Sequence, residues 1–241
     1  KGKTTLIQNL KLLTQNWRRL EKTGEGEDME KLAIFDVDYT ITKRETLMEF
    51  YTFMVKKDIK LIRYLPKSAF AGILYFLKIY DAGKAKQKFI SFIDGIKEDD
   101  MKSIVKEFYE KRLSKIFYKD AIDTMKKLKG EGYKIYLISA SAEFYLSELY
   151  NIKEVDKVIG TRFKITNGIH GSVMEGENCK GEEKVKRLNQ VLKKENIEVN
   201  FKDSYMFSDS MSDLPLFKLV GHPYLINSKK KYNNVEVLKW R

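Results

Sequence analysis

Three short apolar runs in this chain stop abruptly at small polar or acidic residues. The run at 32–35 precedes Asp36, the run at 133–138 precedes Ser139, and the run at 205–207 precedes Ser208. Runs of this kind are typical of buried strands in a parallel sheet, because both faces of such a sheet are covered. The carboxyl ends of parallel strands form the ligand-binding edge of an open α/β sheet. The pattern therefore predicts a functional site at that edge.

Between the first two runs the hydrophobic period changes to that of a helix. Apolar residues at helical spacing are Leu47, Phe50, Tyr51, Met54 and Val55, then Phe89, Phe92, Ile93 and Ile96, then Met101, Ile104, Val105 and Phe108. We therefore predict a helical bundle at 45–117, inserted into a core formed by 29–44 and 118–241. Alternating strands and helices in that core predict an α/β fold, with a Rossmann-like, mostly parallel sheet flanked by helices. Within it, Thr166-Asn167-Gly168 favours a hairpin.

The first 28 residues have a different pattern. Leucines and a tryptophan recur at steps of three and four residues, as in an amphipathic helix: Leu6, Leu10, Leu13, Trp17 and Leu20. The Gly- and Glu-rich residues 23–28 then indicate a linker. We predict that 1–28 is an appendage to the core, and its lack of a continuous apolar stretch is not typical of a signal peptide.

Four segments carry candidate chemistry: Asp36-Val37-Asp38-Tyr39-Thr40, Ser139, Lys184 and the stretch from Asp209 to Asp213. Carboxylates that lie close together raise each other's cost of ionisation, so such a cluster is typical of a cation site. We predict a Mg²⁺ site in which Asp36 and Asp209 are direct ligands. Asp38 and Asp213 are predicted to belong to the same site, with Asp213 orienting a metal-bound water.

The same residues can carry phosphoryl transfer, in which catalysis is mostly positioning and charge neutralisation. We predict that Asp36 attacks phosphorus to form an aspartyl phosphate, and that Asp38 protonates the leaving group and later activates water. Lys184 would place an ammonium beside the transferring group. The predicted substrate-binding residues here are Thr40 and Ser139, with the neighbouring Ala140.

In their order along the chain, these four segments resemble the motifs of the haloacid dehalogenase superfamily. Three further stretches, 159–162, 167–171 and 180–185, are similar to its phosphoserine-phosphatase-like branch, and the resemblance covers 29–241. It implies a magnesium-dependent phosphatase with a helical cap domain at 45–117. Dehalogenases of the superfamily lack a carboxylate at the position of Asp38, so its presence favours phosphate chemistry. Tyr39 departs from the family, which often has a small residue there, and 208–213 replaces a glycine-rich, asparagine-containing version.

The substrate is less well defined by the sequence. Glu45 occupies the position at which phosphoserine phosphatases carry an acid for the substrate's amino group, so the resemblance implies a phosphoserine-like small molecule. Equally, Glu45 can simply begin a helix, where a negative charge is favourable. Part of the same branch acts on phosphatidylglycerol phosphate, so a lipid phosphate is the alternative substrate. A non-catalytic module that binds an acidic partner is the alternative of another class, and the leaving group stays undetermined.

An apolar, lysine-flanked segment at 59–80 bears on the lipid alternative. Its uninterrupted apolar part, residues 69–77, is far shorter than the roughly 20 residues that cross a bilayer. We expect its aromatic side chains to be buried in the helical bundle. The alternative is contact with a lipid interface through Lys60, Arg63, Lys67 and Lys78.

Composition restricts the partners and the compartment. The formal net charge of +12 favours anionic partners such as phosphate esters or an acidic membrane surface. The lysine run at 229–231 is more typical of a solvated surface than of a nucleic-acid site with a stacking platform, so no nucleic acid is expected. The single cysteine, Cys179, excludes an internal disulfide and is typical of a reducing compartment. We predict a cytoplasmic protein, peripheral to a membrane at most, and the sequence leaves its oligomeric state undetermined.

Overall fold

Strands and helices alternate along most of the chain. The computed structural model describes residues 29–230, 232 and 235–241, so the helix and linker predicted at 1–28 lie outside the described residues. The strands are β1 (Leu32–Phe35), β2 (Lys134–Ala142), β3 (Val155–Thr161), β4 (Phe163–Thr166), β5 (Ile169–Met174), β6 (Tyr205–Ser208), β7 (His222–Ile226) and β8 (Glu236–Leu238). The α-helices are α1 (Thr46–Lys57), α2 (Leu65–Phe76), α3 (Ala82–Ile90), α4 (Glu98–Lys111), α5 (Lys119–Gly130), α6 (Glu143–Leu146), α7 (Glu182–Glu195) and α8 (Leu214–Phe217).

Six strands form one parallel sheet in the order β3-β2-β1-β6-β7-β8. Its three central strands are the three apolar runs of the sequence. Phe35, the last residue of β1, lies opposite Leu137 on one side and Phe207 on the other. The chain therefore leaves all three strands at the same edge, which confirms the predicted α/β fold and brings the polar strand ends together. The predicted hairpin is also present, as the antiparallel pair β4–β5.

Both faces of the sheet are buried, as the apolar runs predict. Side chains alternate along β1, so Leu32 and Ile34 pack on one face with Leu188 of α7. Phe35 packs on the other face, in a cluster that includes Met125 of α5. Both clusters contain residues far apart in the sequence, so they join the helices to the sheet on either side.

Helices α1 to α4 lie between β1 and β2 in the sequence, where the helical bundle was predicted. The two connections to this helical segment run side by side: the Lys43 N–H donates to the Ile116 carbonyl, and the Tyr118 N–H donates to the Ile41 carbonyl. The fully buried ring of Phe50 in α1 packs 5.2 Å, centroid to centroid, from the ring of Tyr145 in α6. The helical segment therefore shares part of its apolar packing with the core. The boundaries of a separate cap domain stay a prediction.

The expected burial of aromatic side chains in the 59–80 segment is wrong for its two phenylalanines. Phe70 is 61% exposed and Phe76 is 85% exposed, and several aliphatic residues of α2 and its neighbouring turns are exposed as well. Among the side chains of this segment that the structure describes, only Ala71 is a buried apolar one. The helical spacing of the apolar residues predicts that the segment forms a helix. It does not predict which side of that helix packs against the rest of the protein. Among the described residues, no helix is both long and apolar enough to span a membrane.

Gly160 in β3 allows a close backbone approach beside the site. A Cβ at this position would lie 2.8 Å from the Glu143 Cα and 2.9 Å from the Ser141 carbonyl oxygen. We expect Gly160→Ala to destabilise the protein by about 1–3 kcal/mol, since backbone atoms must move. Gly130→Ala, where a Cβ meets open space at the end of α5, is the control. Urea unfolding checks both variants, and equal stability of the two would contradict the expectation.

Candidate active site

The polar strand ends surround one cavity of about 750 Å³. The predicted site residues that line it are Asp36, Asp38, Glu45, Ser139, Ala140, Lys184, Asp209 and Asp213. Residues of the helical segment, including Leu47 and Phe89, complete the wall. The cavity is therefore bounded by the sheet edge on one side and by the helical segment on the other.

A buried lysine lies between two of the acids. The Lys184 Nζ is 2.8 Å from the Asp36 Oδ1 and 2.7 Å from the Asp213 Oδ2. The Ser208 hydroxyl donates a third hydrogen bond to this arrangement, 2.8 Å from the same Asp213 oxygen. These bonds connect the ends of β1 and β6 through a side chain of α7. The ammonium fixes the Asp36 carboxylate in one orientation while the Oδ2 atom of Asp36 has no hydrogen bond to a described residue.

Helix α7 presents Lys184 to the site because of its apolar stripe. Leu188 and Leu192 follow Lys184 at steps of four residues, and all three are buried on one side of the helix. The two leucines pack against the sheet, which turns the lysine inward. Gly181 precedes the helix with φ of 57°, a conformation that favours glycine. The local sequence therefore determines both where the helix begins and which side faces the acids.

Burial makes the ionised form of these acids costly. It raises the pKa of Asp36 from 3.8 to about 7, with Asp213 and Asp38 adding repulsion and Lys184 opposing the rise. Burial and the charge of Asp213 raise the pKa of Asp209 to about 6. Lys184 has a raised pKa because the charges of Asp36 and Asp213 outweigh its desolvation. One ammonium therefore does not balance the carboxylates, and a further cation would stabilise their charged forms.

Two acids that line the cavity, Asp36 and Asp209, are the predicted direct ligands of a divalent cation. The Asp213 Oδ1 is buried without a hydrogen-bond partner, as expected of an atom that faces an ordered water or ion. However, the described residues contain no group of three or more acidic, His or Cys side chains placed to hold a metal. A metal-ligand role for Asp38 or Asp213 therefore stays a prediction. A site with two carboxylates, Asp36 and Asp209, completed by a backbone carbonyl and waters, remains consistent with Mg²⁺ chemistry.

Both carboxylate oxygens of Asp38 accept hydrogen bonds. The backbone N–H of Thr46, at the start of α1, donates to its Oδ1 at 2.7 Å. The Ser141 hydroxyl donates to its Oδ2 at 2.5 Å. A carboxylate at a helix amino terminus is stabilised by the helix dipole. Asp38 thus connects the end of β1 to both the helical segment and the end of β2.

The loop after β1 turns sharply around one carbonyl group. The backbone N–H groups of Thr40, Ile41 and Thr42 all donate to the Val37 oxygen. Tyr39 adopts φ of 57° within this turn, in the left-handed region where glycine is favoured. That conformation explains why a small residue is common at this position in the family. The tyrosine ring is 48% exposed and lines the cavity. The chain therefore makes this turn without a glycine, and the ring of Tyr39 forms part of the cavity rim.

Thr40 does not face the cavity, although it was predicted to bind substrate. Its side chain is fully buried, and its hydroxyl oxygen accepts a hydrogen bond of 2.8 Å from the Asp209 N–H. The residue therefore connects the loop after β1 to the loop after β6. This places it behind the acids, as a positioning residue.

Ser139 and Ala140, by contrast, lie at the cavity wall as predicted. The Ser139 hydroxyl oxygen accepts a hydrogen bond from the Ser141 N–H at 3.0 Å, which leaves its proton free to be donated. The Ala140 carbonyl accepts hydrogen bonds from Thr161 and from Lys86. The end of β2 therefore offers a hydroxyl donor to the cavity while its backbone is held from behind.

Glu45 begins α1, which confirms one of the two alternatives that the sequence left open, and its role in binding substrate stays a prediction. It is the N-cap of α1, accepting a hydrogen bond from the Met48 N–H at 2.7 Å, and it also lines the cavity. Burial raises the pKa of Glu45 to about 7, with Asp38 adding repulsion. A nearby cationic group on a bound molecule would lower this pKa again.

Lys86 is a site residue that the sequence analysis missed. It extends from α3 across the cavity, and its Nζ donates to the Ala140 carbonyl at 2.6 Å and to the Asn178 Oδ1 at 2.7 Å. Burial lowers the pKa of Lys86 to about 8, although Asp38 and Glu45 oppose the change. In the sequence it stands among Lys84 and Lys88, a pattern that is typical of a solvated surface. No local signal distinguishes it from its neighbours.

The predicted magnesium binding can be tested through its effect on stability, without an assay of activity. Without a cation, the raised pKa values of Asp36 and Asp209 mean that the folded state binds more protons than the unfolded state between about pH 4 and 7, so stability falls as pH rises. Protons compete with Mg²⁺ for the same oxygens. We expect saturating Mg²⁺ to raise Tm by roughly 5–10 °C at about pH 8 and by much less at about pH 5.

Differential scanning fluorimetry at constant ionic strength checks this expectation. Asp209→Asn is the matched variant, because it removes one proposed ligand and should reduce the magnesium-dependent shift. A shift of equal size at both pH values, or one unchanged in Asp209→Asn, would contradict a cation site among these acids.

A parallel α/β sheet whose strand ends gather acids, a serine and a buried lysine around one cavity defines a hydrolytic enzyme of the α/β class. Residues 33–218 match the family model of haloacid dehalogenase-like hydrolases, and the chain belongs to that family. The resemblance seen in the sequence is thereby confirmed.

Relatives of known name agree with this assignment. A phosphoserine phosphatase of Methanocaldococcus jannaschii is 27% identical over 202 residues, which cover 81% of this chain and 84% of the relative. Protein CicA of Caulobacter vibrioides is 25% identical over 176 residues, covering 70% and 76%. The prediction of a phosphatase of this family is confirmed at that level.

Solved structures share the fold. A protein of unknown function from Bordetella pertussis superposes with a TM-score of 0.73 at 21% identity, over 83% of this chain and 91% of that one. A substrate-bound phosphoserine phosphatase superposes with a TM-score of 0.57, also at 21% identity, over 84% and 89%.

Proposed function

We propose that this protein is a magnesium-dependent phosphomonoesterase that works through a phospho-Asp36 intermediate. The observation that carries the proposal is the buried Asp36–Lys184–Asp213 arrangement at the wall of the cavity. Lys184 forms a hydrogen bond with one carboxylate oxygen of Asp36. The same contact fixes the orientation of the second oxygen, which would attack phosphorus. A bound Mg²⁺ would supply charge neutralisation for the phosphate group.

The chain's own residues account for each proton and bond. An Asp36 oxygen forms a bond to phosphorus as the ester P–O bond breaks, and Asp38, which enters this step in its protonated form, gives its proton to the leaving alkoxide. In the second step Asp38 takes a proton from water, whose oxygen attacks the same phosphorus and releases Asp36. The Ser139 hydroxyl and the Lys184 ammonium donate hydrogen bonds to phosphate oxygens and stabilise the added negative charge.

Hydrolysis of para-nitrophenyl phosphate tests the reaction class. The full chain should release para-nitrophenol with added Mg²⁺ and lose this activity with excess chelator, then regain it when Mg²⁺ is returned. Activity that is indifferent to chelator would reject the magnesium dependence. No hydrolysis of any phosphate ester would reject the proposal as a whole.

For the substrate we propose a phosphoserine-like small molecule. Glu45 and Lys86 present opposite charges to the same cavity, which matches a molecule that carries both an amino and a carboxylate group. The phosphoserine phosphatase among the relatives supports this choice. We also propose that residues 45–117 act as a cap, since α1 and α3 supply these two side chains while the core supplies the phosphate chemistry.

Glu45 offers a direct test of the substrate. We expect Glu45→Gln to raise KM for phosphoserine by about 10-fold or more, because the amino group loses an ionic partner, while leaving kcat/KM for para-nitrophenyl phosphate within about 3-fold. Steady-state kinetics on both substrates provide the measurement, and Glu148→Gln at the surface is the control. Equal effects on the two substrates would show that Glu45 only caps α1.

A lipid phosphate is the second candidate, and one observation favours it. Apolar or small residues of the helical segment form much of the cavity wall: Leu47, Met48, Gly72, Ala82, Ala85 and Phe89. A cavity of about 750 Å³ also exceeds what a phosphoserine needs. Comparing kcat/KM for phosphoserine with that for phosphatidylglycerol phosphate in mixed micelles distinguishes the two candidates.

A further inference from the structure

Helix α2 and its flanking turns carry a group of exposed apolar side chains, which we call the α2 surface. Its exposed members are Ile59, Ile62, Leu65, Phe70, Ile73, Phe76, Leu77 and Ile79. Within the helix, Leu65, Phe70, Ile73, Phe76 and Leu77 fall on one side, whereas Ala71 on the opposite side is buried. Single exposed apolar residues are ordinary, but a group of this size marks an interaction surface.

The charges around the α2 surface are almost all positive. Residues 56–88 contain nine lysines and arginines against two aspartates. Lys60 and Arg63 lie in the turn that leads into α2, and Lys78 follows it; in the described part of the chain none of the three forms a salt bridge. These cations are therefore available to an external anionic partner. The excess is local, so it is not merely a reflection of the overall charge.

We propose that the α2 surface docks on an anionic lipid bilayer, with α2 lying in the plane of the interface. Phenylalanine and aliphatic side chains without hydrogen-bonding groups suit the acyl boundary, and flexible basic side chains beside them suit anionic head groups. An acidic protein partner would satisfy the cations but would leave the phenylalanine rings without matching apolar contacts. The combination of both features favours the lipid surface.

The position of the surface relates docking to the cavity. Gly72, on the same helix, is part of the cavity wall. Tyr39 and Met48 line the cavity too, and both are about half exposed. Docking through the α2 surface would therefore bring one wall of the proposed catalytic cavity close to the bilayer. The docking itself does not depend on catalysis and can be measured without substrate.

Vesicle co-sedimentation of the full chain tests the proposal. The probes are vesicles of phosphatidylcholine alone and vesicles with about one third phosphatidylglycerol. We expect at least about 10-fold tighter partitioning onto the anionic vesicles, and a marked loss at about 0.5 M salt, where charge attraction is screened. Equal or absent binding to both vesicle types would overturn the proposal.

Two double variants separate the apolar and ionic contributions. We expect Phe70→Ser with Phe76→Ser, and separately Lys60→Glu with Arg63→Glu, each to weaken binding to anionic vesicles by about 10-fold or more. The matched control is Ile165→Ser with Val173→Ser, which removes exposed apolar side chains from the β4–β5 hairpin instead. Circular dichroism establishes that each variant is folded, and the two independent pairs keep the test valid if one of them is not.

Other occupants of the α2 surface give different results. If a second copy of the chain covers it, light scattering should show a dimer that Phe70→Ser with Phe76→Ser converts to monomer, with no vesicle binding by the wild type. If residues 1–28 cover it, the wild type should be monomeric and should not bind vesicles. Both results overturn the proposal, as would variants that bind anionic vesicles as well as the wild type does.

Discussion

Asp36→Asn is expected to lower kcat for para-nitrophenyl phosphate by about four orders of magnitude or more. An amide has nearly the shape of a carboxylate but is a poor nucleophile, so no phosphoenzyme can form. The fold should survive, because Lys184 retains its contact of 2.7 Å with Asp213. The change also removes a buried carboxylate whose charge burial disfavours, so Tm without Mg²⁺ should not fall at neutral pH.

The control for this variant is Asp99→Asn, at an exposed position in the first turn of α4. It should retain nearly full activity. Kinetics in saturating Mg²⁺, together with circular dichroism, provide the measurement. If a folded Asp36→Asn protein retains more than about a tenth of wild-type kcat, Asp36 is not the nucleophile.

Lys184→Met is expected to have the largest effect on stability. The change leaves Asp36 and Asp213 buried without their cation, and removal of one partner from a buried ion pair typically costs about 3–5 kcal/mol. For a chain of this size that corresponds to a fall in Tm of roughly 10 °C. The loss should be larger at about pH 8 than at about pH 5, because protonation of the carboxyl groups at low pH relieves the unpaired charge. Activity should be lost at both pH values.

Lys186→Met on the same helix is the matched control, since the side chain of Lys186 is 61% exposed in its pair with Glu183. An exposed pair of this kind contributes at most about 1 kcal/mol. Thermal unfolding without Mg²⁺ compares the two variants directly. Similar Tm values for Lys184→Met and Lys186→Met would show that the buried lysine does not stabilise the acids.

Much of the fold and of the acidic site could be predicted because both depend on strong local patterns. Apolar runs such as 32–35 can hardly be placed anywhere but in the centre of a sheet, and the residue after each run must then lie at the same edge. The parallel register that sets Phe35 beside Leu137 and Phe207 follows from this arrangement. The convergence of Asp36, Ser139 and Asp209 on one cavity thus needed no knowledge of side-chain packing.

The remainder depends on contacts between distant elements, which leave no local pattern. Lys86 belongs to the site only because α3 lies close to the end of β2 and to Asn178, so that its ammonium reaches both. In the sequence it resembles any surface lysine. Thr40 is predicted to bind substrate because its hydroxyl follows the two acids, but in the fold that hydroxyl accepts a hydrogen bond from the Asp209 N–H. The exposure of Phe70 and Phe76 likewise depends on how the helices of this segment pack, because no other element covers that side of α2 among the described residues. Residue type alone would predict that both rings are buried.

The left-handed turn at Tyr39 has a consequence for selectivity. The half-exposed phenol of Tyr39 stands at the rim of the cavity, where a smaller side chain would leave that side open. The proposed chemistry at phosphorus does not use this ring. A phosphate ester that enters from this side would meet the Tyr39 ring before it reaches the acids. The ring can therefore contribute to discrimination between competing esters.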